Sequence, residues 1–271
     1  MKTPTFLIWC LISPVYCFKP YIVDGKKARP NSFTHSAALG ISCLPEADQQ
    51  WHCGSSIVNQ RVLLSAAHCF QDCENENIDI LITVGNVNRQ KGKRIAYSQH
   101  RCHEDYIKEL LENDIAIVLT KEAIRFGRSV GRVALLENPP KTLAHVAGWG
   151  VTHDLSRSQS RELRYTSQVF INNTECYDAL QGIPNNTVCT MPPKGEKGRP
   201  GVGDSGSALV VRGFIQIGIV SYKDPNYTES ITVYTNVPEF LEWIQRNAKE
   251  LYCRNKPVVV YKARWVWMKR K

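Results

Sequence analysis

The stretch Gly203-Asp204-Ser205-Gly206-Ser207 decides how this chain is read. A serine held between glycines, with an aspartate before it, is unusual in a packed segment. Glycine lacks a Cβ and so permits a tight turn and the close approach of another molecule. Adjacent backbone N–H groups in such a turn can converge on one spot and stabilise a developing oxyanion. Ser205 is therefore a candidate nucleophile, although Gly-Asp-Ser-Gly alone is also ordinary turn chemistry.

Two further stretches supply partners. Leu64-Ser65-Ala66-Ala67-His68-Cys69 closes an apolar run on a histidine. Asn113-Asp114-Ile115-Ala116-Ile117-Val118-Leu119 opens another with an aspartate. Taken singly, the histidine reads as a core group and the aspartate as a turn residue. Together the three occur in the order His, Asp, Ser, at separations of 46 and 91 residues. This constellation resembles the chymotrypsin-fold, trypsin-like serine peptidases, and the resemblance runs from Ile22 to about Leu251. Gly148-Trp149-Gly150, Gly218-Ile219-Val220-Ser221-Tyr222, Tyr234-Thr235 and Trp243 are similar to other marks of that family.

The resemblance implies roles. His68 would take the proton of Ser205, a poor nucleophile when neutral, and return it to the leaving amine. Asp114 would hold the imidazole, and Ser221 would support Asp114. The N–H groups of Gly203 and Ser205 would form the oxyanion hole. The α-amine of Ile22, exposed by cleavage after a short propeptide (residues 18–21), would pair with Asp204 and order the oxyanion loop. Tyr21 precedes Ile22 where the family carries Arg or Lys, so the expected activating protease is not arginine-selective. The family also implies the disulfides Cys53–Cys69 and Cys176–Cys189. Its topology sets the loops of Cys43 and Cys73 side by side, which implies Cys43–Cys73 and leaves Cys102–Cys253.

The specificity pocket departs from the family pattern. Arg199 stands at the position of the pocket base, Thr232 on its wall, and Lys223 after Tyr222 where glycine is usual. Gly201 replaces a cysteine, and the partner cysteine expected after Tyr222 is also absent. A cationic substrate side chain would face Arg199, so selectivity for Lys or Arg is not expected. If the pocket is open, Arg199 or Lys223 favours acidic or small residues. The alternative to an endopeptidase is a catalytically silent homologue that binds or regulates.

The remainder sets compartment and architecture. Lys2 followed by Phe6 to Ile12 has the form of a signal peptide over residues 1–17, too short to span a bilayer. Removing it takes two of the ten cysteines and leaves an even number, as an oxidising, extracellular compartment favours. Sequons at Asn172, Asn185 and Asn226 fit the same secreted location. Seven cations after Leu251 and two before Ile22 account for the whole net charge of +9, so residues 22–250 are formally neutral. The high pI is no argument for nucleic acid. The tail, residues 252–271, interleaves cations with Trp265 and Trp267; residues 254–271 are either a solvated extension or a contact for anionic surfaces. No cofactor and no metal is expected, and the chain reads as a monomer acting on protein or peptide substrates.

Short strand-like runs separated by Gly, Pro and Asn point to a sandwich or barrels. One helical pattern is clear, over 238–251, with Phe240, Leu241, Ile244, Ala248 and Leu251 on one face. With the family resemblance, the expected fold is all-β: two six-stranded antiparallel barrels, roughly 22–130 and 131–236, and a C-terminal helix.

Overall fold

The computed structural model describes residues 24–43, 50–73, 78–152 and 159–254. The expected leader, propeptide, Ile22 and nearly all of the basic tail lie outside the described residues. The first barrel contains β2 (Ser36–Cys43), β3 (Gln50–Ile57), β4 (Val62–Ser65), β5 (Ile78–Val84), β6 (Lys93–Cys102) and β7 (Ala116–Thr120), after a short β1 (Lys26–Lys27). It closes in the order β2-β3-β4-β7-β6-β5. A two-residue β8 (Ala134–Leu135) leads to the second barrel: β9 (Ala144–Gly148), β10 (Arg164–Ile171), β11 (Thr187–Met191), β12 (Ala208–Val211), β13 (Ile215–Tyr222) and β14 (Thr232–Asn236). Pairing of β10 with β9 closes that barrel, and all its ladders are antiparallel. The expected architecture, two six-stranded antiparallel barrels and a C-terminal helix, is the one observed.

Burial explains which strands the sequence announces. β4 and β7 are buried along their whole length, because one face lines the barrel and the other meets neighbouring elements. Such strands read as continuous apolar runs. β6 is different: Lys93-Arg94-Ile95-Ala96-Tyr97-Ser98-Gln99-His100-Arg101-Cys102 is half exposed and bulged between Tyr97 and Gln99, so its polar sequence conceals a ten-residue strand. β3 and β4 are separated by a short turn between Ile57 and Val62. The helix α1 (Asn173–Leu180) is too short for a visible period; Asn172 caps it, its side-chain oxygen accepting from Glu175 N at 2.7 Å.

The C-terminal helix begins later and ends later than expected. Val237–Phe240, with Pro238, forms a tight 3₁₀ turn, and α2 runs Leu241–Arg254. Although it follows the second barrel, its apolar face packs on the first: Trp243, Ile244 and Leu251, with Phe240 of the preceding turn, join the cluster of Leu63, Ile117 and Leu119. Trp243 stacks on His103 at 4.9 Å between centroids and donates to Glu104 Oε2 at 2.6 Å. Arg246 reaches the same carboxylate at 2.9 Å, and Arg101 on β6 reaches Glu250 at 2.9 Å. α2 is thus clamped onto the first barrel.

Cys43–Cys73, Cys53–Cys69 and Cys176–Cys189 are disulfide-bonded. The fourth expected pair is not formed. Cys102 is part-buried on β6 with its thiol directed at the Ala67 carbonyl (3.8 Å), whereas Cys253 is exposed near the end of α2. Their thiols face different environments, which corrects the Cys102–Cys253 pairing.

Trp243→Ala should remove the main anchor of α2. The expected loss is about 3–5 kcal/mol, as for large-to-small changes at buried aromatics, measured from the shift in urea midpoint.

Candidate active site

The three triad candidates converge where the barrels meet. His68 lies in the 3₁₀ turn Ala67–Cys69 that ends β4, pinned by the disulfide from Cys69 to Cys53 on β3. Asp114 immediately precedes the apolar run that becomes β7 and is 1% exposed. Its two carboxylate oxygens divide the work. Oδ1 accepts from the backbone N–H of His68 at 2.9 Å, and Oδ2 sits 2.8 Å from His68 Nδ1. The second barrel completes the grip: Ser221 Oγ on β13 donates to Asp114 Oδ2 at 2.5 Å, and Thr235 Oγ1 on β14 donates to the Asp114 carbonyl at 2.7 Å. Ser221 was legible in the sequence. The contribution of Thr235 was not, since a buried threonine in a strand gives no signal of its own.

Ser205 is positioned through its backbone. Its carbonyl accepts from Gly54 N on β3 at 2.7 Å, and Ser65 Oγ donates to the Gly54 carbonyl at 2.9 Å. Gly206 N donates to Val220 O, so β13 anchors the other side of the turn. Gly203 and Gly206 adopt φ of +90° and +81°, a region that favours glycine. A Cβ at Gly206 would lie 2.3 Å from Ser65 Oγ and 2.4 Å from the Gly54 carbonyl. Among the described residues, no protein acceptor takes the N–H of Gly203 or Ser205, and no hydrogen bond joins Ser205 Oγ to His68. Such catalytic contacts are often long until a substrate binds.

Asp204 is fully buried. Oδ1 accepts from Gly150 N at 2.7 Å and Oδ2 from Gly201 N at 2.8 Å. Burial pushes its carboxyl up to about 6, against the lowering effect of those two N–H groups and of Lys223. This explains Gly148-Trp149-Gly150: a Cβ at Gly148 or Gly150 would stand 2.1 Å or 2.6 Å from the Asp204 carboxylate. Trp149 Nε1, between them, donates to Val87 O at 2.8 Å and ties the loop to the first barrel.

The residues expected at the specificity pocket are less uniform. Arg199 is only 8% exposed, and its guanidinium meets the exposed carboxylate of Glu229 at 3.3 Å. Glu229, on the segment between β13 and β14, was not singled out from the sequence. Thr232 is buried at the start of β14, Tyr222 is half-buried, and its phenol is pushed up to about 12, chiefly by burial. Lys223 follows Tyr222 directly and acts on Asp204 electrostatically. The sequon residues Asn172, Asn185 and Asn226 are all exposed. Asn185 Nδ2, the atom a glycan would modify, donates to Glu112 Oε1 at 2.7 Å.

Comparison with known proteins gives the family. The family described as Trypsin matches residues 22–244. A chymotrypsin of Phaedon cochleariae is 27% identical over 236 residues, covering 84% of this chain and 82% of that protein. Trypsin delta of Drosophila erecta is 30% identical over 200 residues, covering 72% of this chain and 78% of that protein. The solved structure of HL collagenase superposes with a TM-score of 0.73 at 23% identity, covering 83% of this chain and 98% of that one, a likeness of fold. The chain belongs to the trypsin family of chymotrypsin-fold serine peptidases and is a serine-type endopeptidase.

Proposed function

We propose that the protein is secreted and hydrolyses peptide bonds through Ser205, His68 and Asp114, after activation by exposure of the Ile22 amine. The observation that carries this reading is the gripped His68–Asp114 pair beside the Ser205 turn. With Nδ1–H facing Asp114, the imidazole presents Nε2 as the base. Ser205 Oγ attacks the scissile carbonyl as its proton passes to Nε2, and the carbonyl oxygen becomes an oxyanion within reach of the Gly203 and Ser205 N–H groups. Each such donor is worth about 3 kcal/mol of transition-state stabilisation. The imidazolium then gives its proton to the leaving amine, forming an acyl-enzyme. Water, activated by the same imidazole, releases the acid. Asp114 favours the imidazolium throughout, and its bonds to Ser221 and Thr235 hold it in place while charge moves.

Fluorophosphonate labelling tests this reading. Mature protein beginning at Ile22 is expected to react, and the Ser205→Ala variant is not. Absence of labelling in the mature protein would instead support a silent binding homologue.

Specificity follows from Arg199. A buried guanidinium at the pocket base repels Lys and Arg side chains and accepts a carboxylate in place of Glu229. Peptides ending their acyl part in Asp or Ala should be cut with higher kcat/KM than one ending in Arg, and Glu229→Gln should raise the rate on the Asp peptide further. Faster turnover of the Arg peptide sinks this assignment.

Activation is read through Asp204. In the uncleaved chain its raised carboxyl makes the folded state the stronger proton binder between about 4, the unfolded value, and about 6. The stability Asp204 contributes is therefore present below that window and lost as pH rises through it. Pairing with the Ile22 amine favours the carboxylate and reverses the shift. A ¹³C titration of the Asp204 carboxyl should show a midpoint near 6 before cleavage and a lower one after it.

A further inference from the structure

The second barrel carries a cavity that the peptidase chemistry does not use. It measures about 850 Å³ and opens between the segment 29–33, β9, β10 and the turn joining β12 to β13. Its floor is aromatic. Phe33, His145 and Tyr165 lie with ring centroids 5.2 Å (Phe33–Tyr165), 6.1 Å (His145–Tyr165) and 6.5 Å (Phe33–His145) apart. All three are half-buried, so each ring keeps a face or edge free of the core. Phe33 is also fixed from behind, packing against the clusters of Ala147 and Trp149 and of Val133 and Val210. Its φ of +52° is uncommon for a bulky residue and sets the ring in this position.

Charge completes the description. Arg29 and Arg212 stand on the rim, both exposed, and among the described residues no carboxylate lines the cavity. Among the described residues, neither guanidinium takes part in an ion pair. Glu196, the acid that acts on His145, is bound to Lys26 at 3.4 Å. Arg212 is held by a tight hairpin turn with Gly213, their φ values being +51° and +82°. That hairpin follows Val211, which pairs with Ala144 and so places Arg212 beside the cavity mouth. A site that combines a preformed apolar floor with a few polar groups at its edge selects a ligand of matching shape. Here the match is a flat ring to lie on Phe33 and Tyr165 and an anion to meet two guanidinium groups.

We propose that this cavity is a second binding site, apart from the catalytic cleft, for the C-terminal aromatic residue of a peptide, whose free carboxylate is held by Arg29 and Arg212. The probe is N-acetyl-tyrosine, titrated into the mature protein while backbone amide shifts are followed. Shifts are expected at residues 29–33 and 212–213. N-acetyl-tyrosinamide, which keeps the ring and loses the charge, should bind more weakly by on the order of tenfold, the worth of one charge-assisted hydrogen bond. Arg212→Glu and, independently, Arg29→Glu should abolish binding of the acid and leave kcat/KM on short peptide substrates unchanged. The proposal is overturned if the acid does not bind, if acid and amide bind alike, if both variants bind as the parent does, or if the shifts fall only at residues 203–206.

Discussion

The carboxylate of Asp114 is the point at which this molecule is joined. At 1% exposure it would be costly to bury without donors. It finds them in both barrels. The first contributes the backbone and ring of His68; the second contributes Ser221, while Thr235 binds the Asp114 carbonyl. The barrels therefore cannot separate or slide without stranding a buried charge. The polar contacts that orient the imidazole are the same ones that fix the relative placement of the barrels. Ser56 Oγ, bonded to the buried Gln216 at 2.7 Å, and Gly54 N, bonded to Ser205 O, repeat this logic around the cleft. Reaction geometry and domain geometry are one constraint.

Much of this was legible in the sequence, and the reasons are physical. His68, Asp114 and Ser205 stand at the ends of apolar segments or in glycine turns, where a polar residue contrasts with its surroundings. β4 and β7 announce themselves because each is apolar up to its last residue, Ser65 or Thr120. β6 did not, because its partners rather than its own side chains make it a strand: pairing with β5 and β7 satisfies its backbone while Lys93, Arg94 and Ala96 face solvent. β3 was obscured by Ser55 and Ser56, whose hydroxyls are buried but satisfied by Ala37 O and Gln216. The contacts that Thr235 and Glu229 make were silent for a related reason. Their roles depend on what lies across the fold, 121 and 30 residues away. The Cys102–Cys253 pairing failed similarly: two cysteines on elements that touch can still direct their thiols apart, as the Cys102 thiol does toward Ala67.

The glycines of the cleft are read more sharply in space than in sequence. Gly148 and Gly150 flank Trp149 because a carboxylate, not a chain turn, occupies the place of their missing side chains. Gly54 is glycine because Ser207 lies against it: a Cβ there would fall 2.0 Å from Ser207 Oγ. The cleft therefore accepts a serine at 207 only because its neighbour across the barrel interface gives up all side-chain volume.

The two buried aspartates show what environment makes of one functional group. Asp114 is surrounded by donors from both barrels, the backbone and ring of His68 and the hydroxyl of Ser221. Among the described residues, Asp204 has two backbone N–H groups bonded to its carboxylate, and with complete burial its carboxyl is pushed up to about 6. A carboxyl in that range ionises readily once a cation is brought to it and holds its proton more readily when none is. The Asp204 carboxylate ties the backbone of Gly201, three residues upstream, to that of Gly150 across the second barrel, so the order of the Ser205 turn and the environment of this one side chain are parts of the same packing.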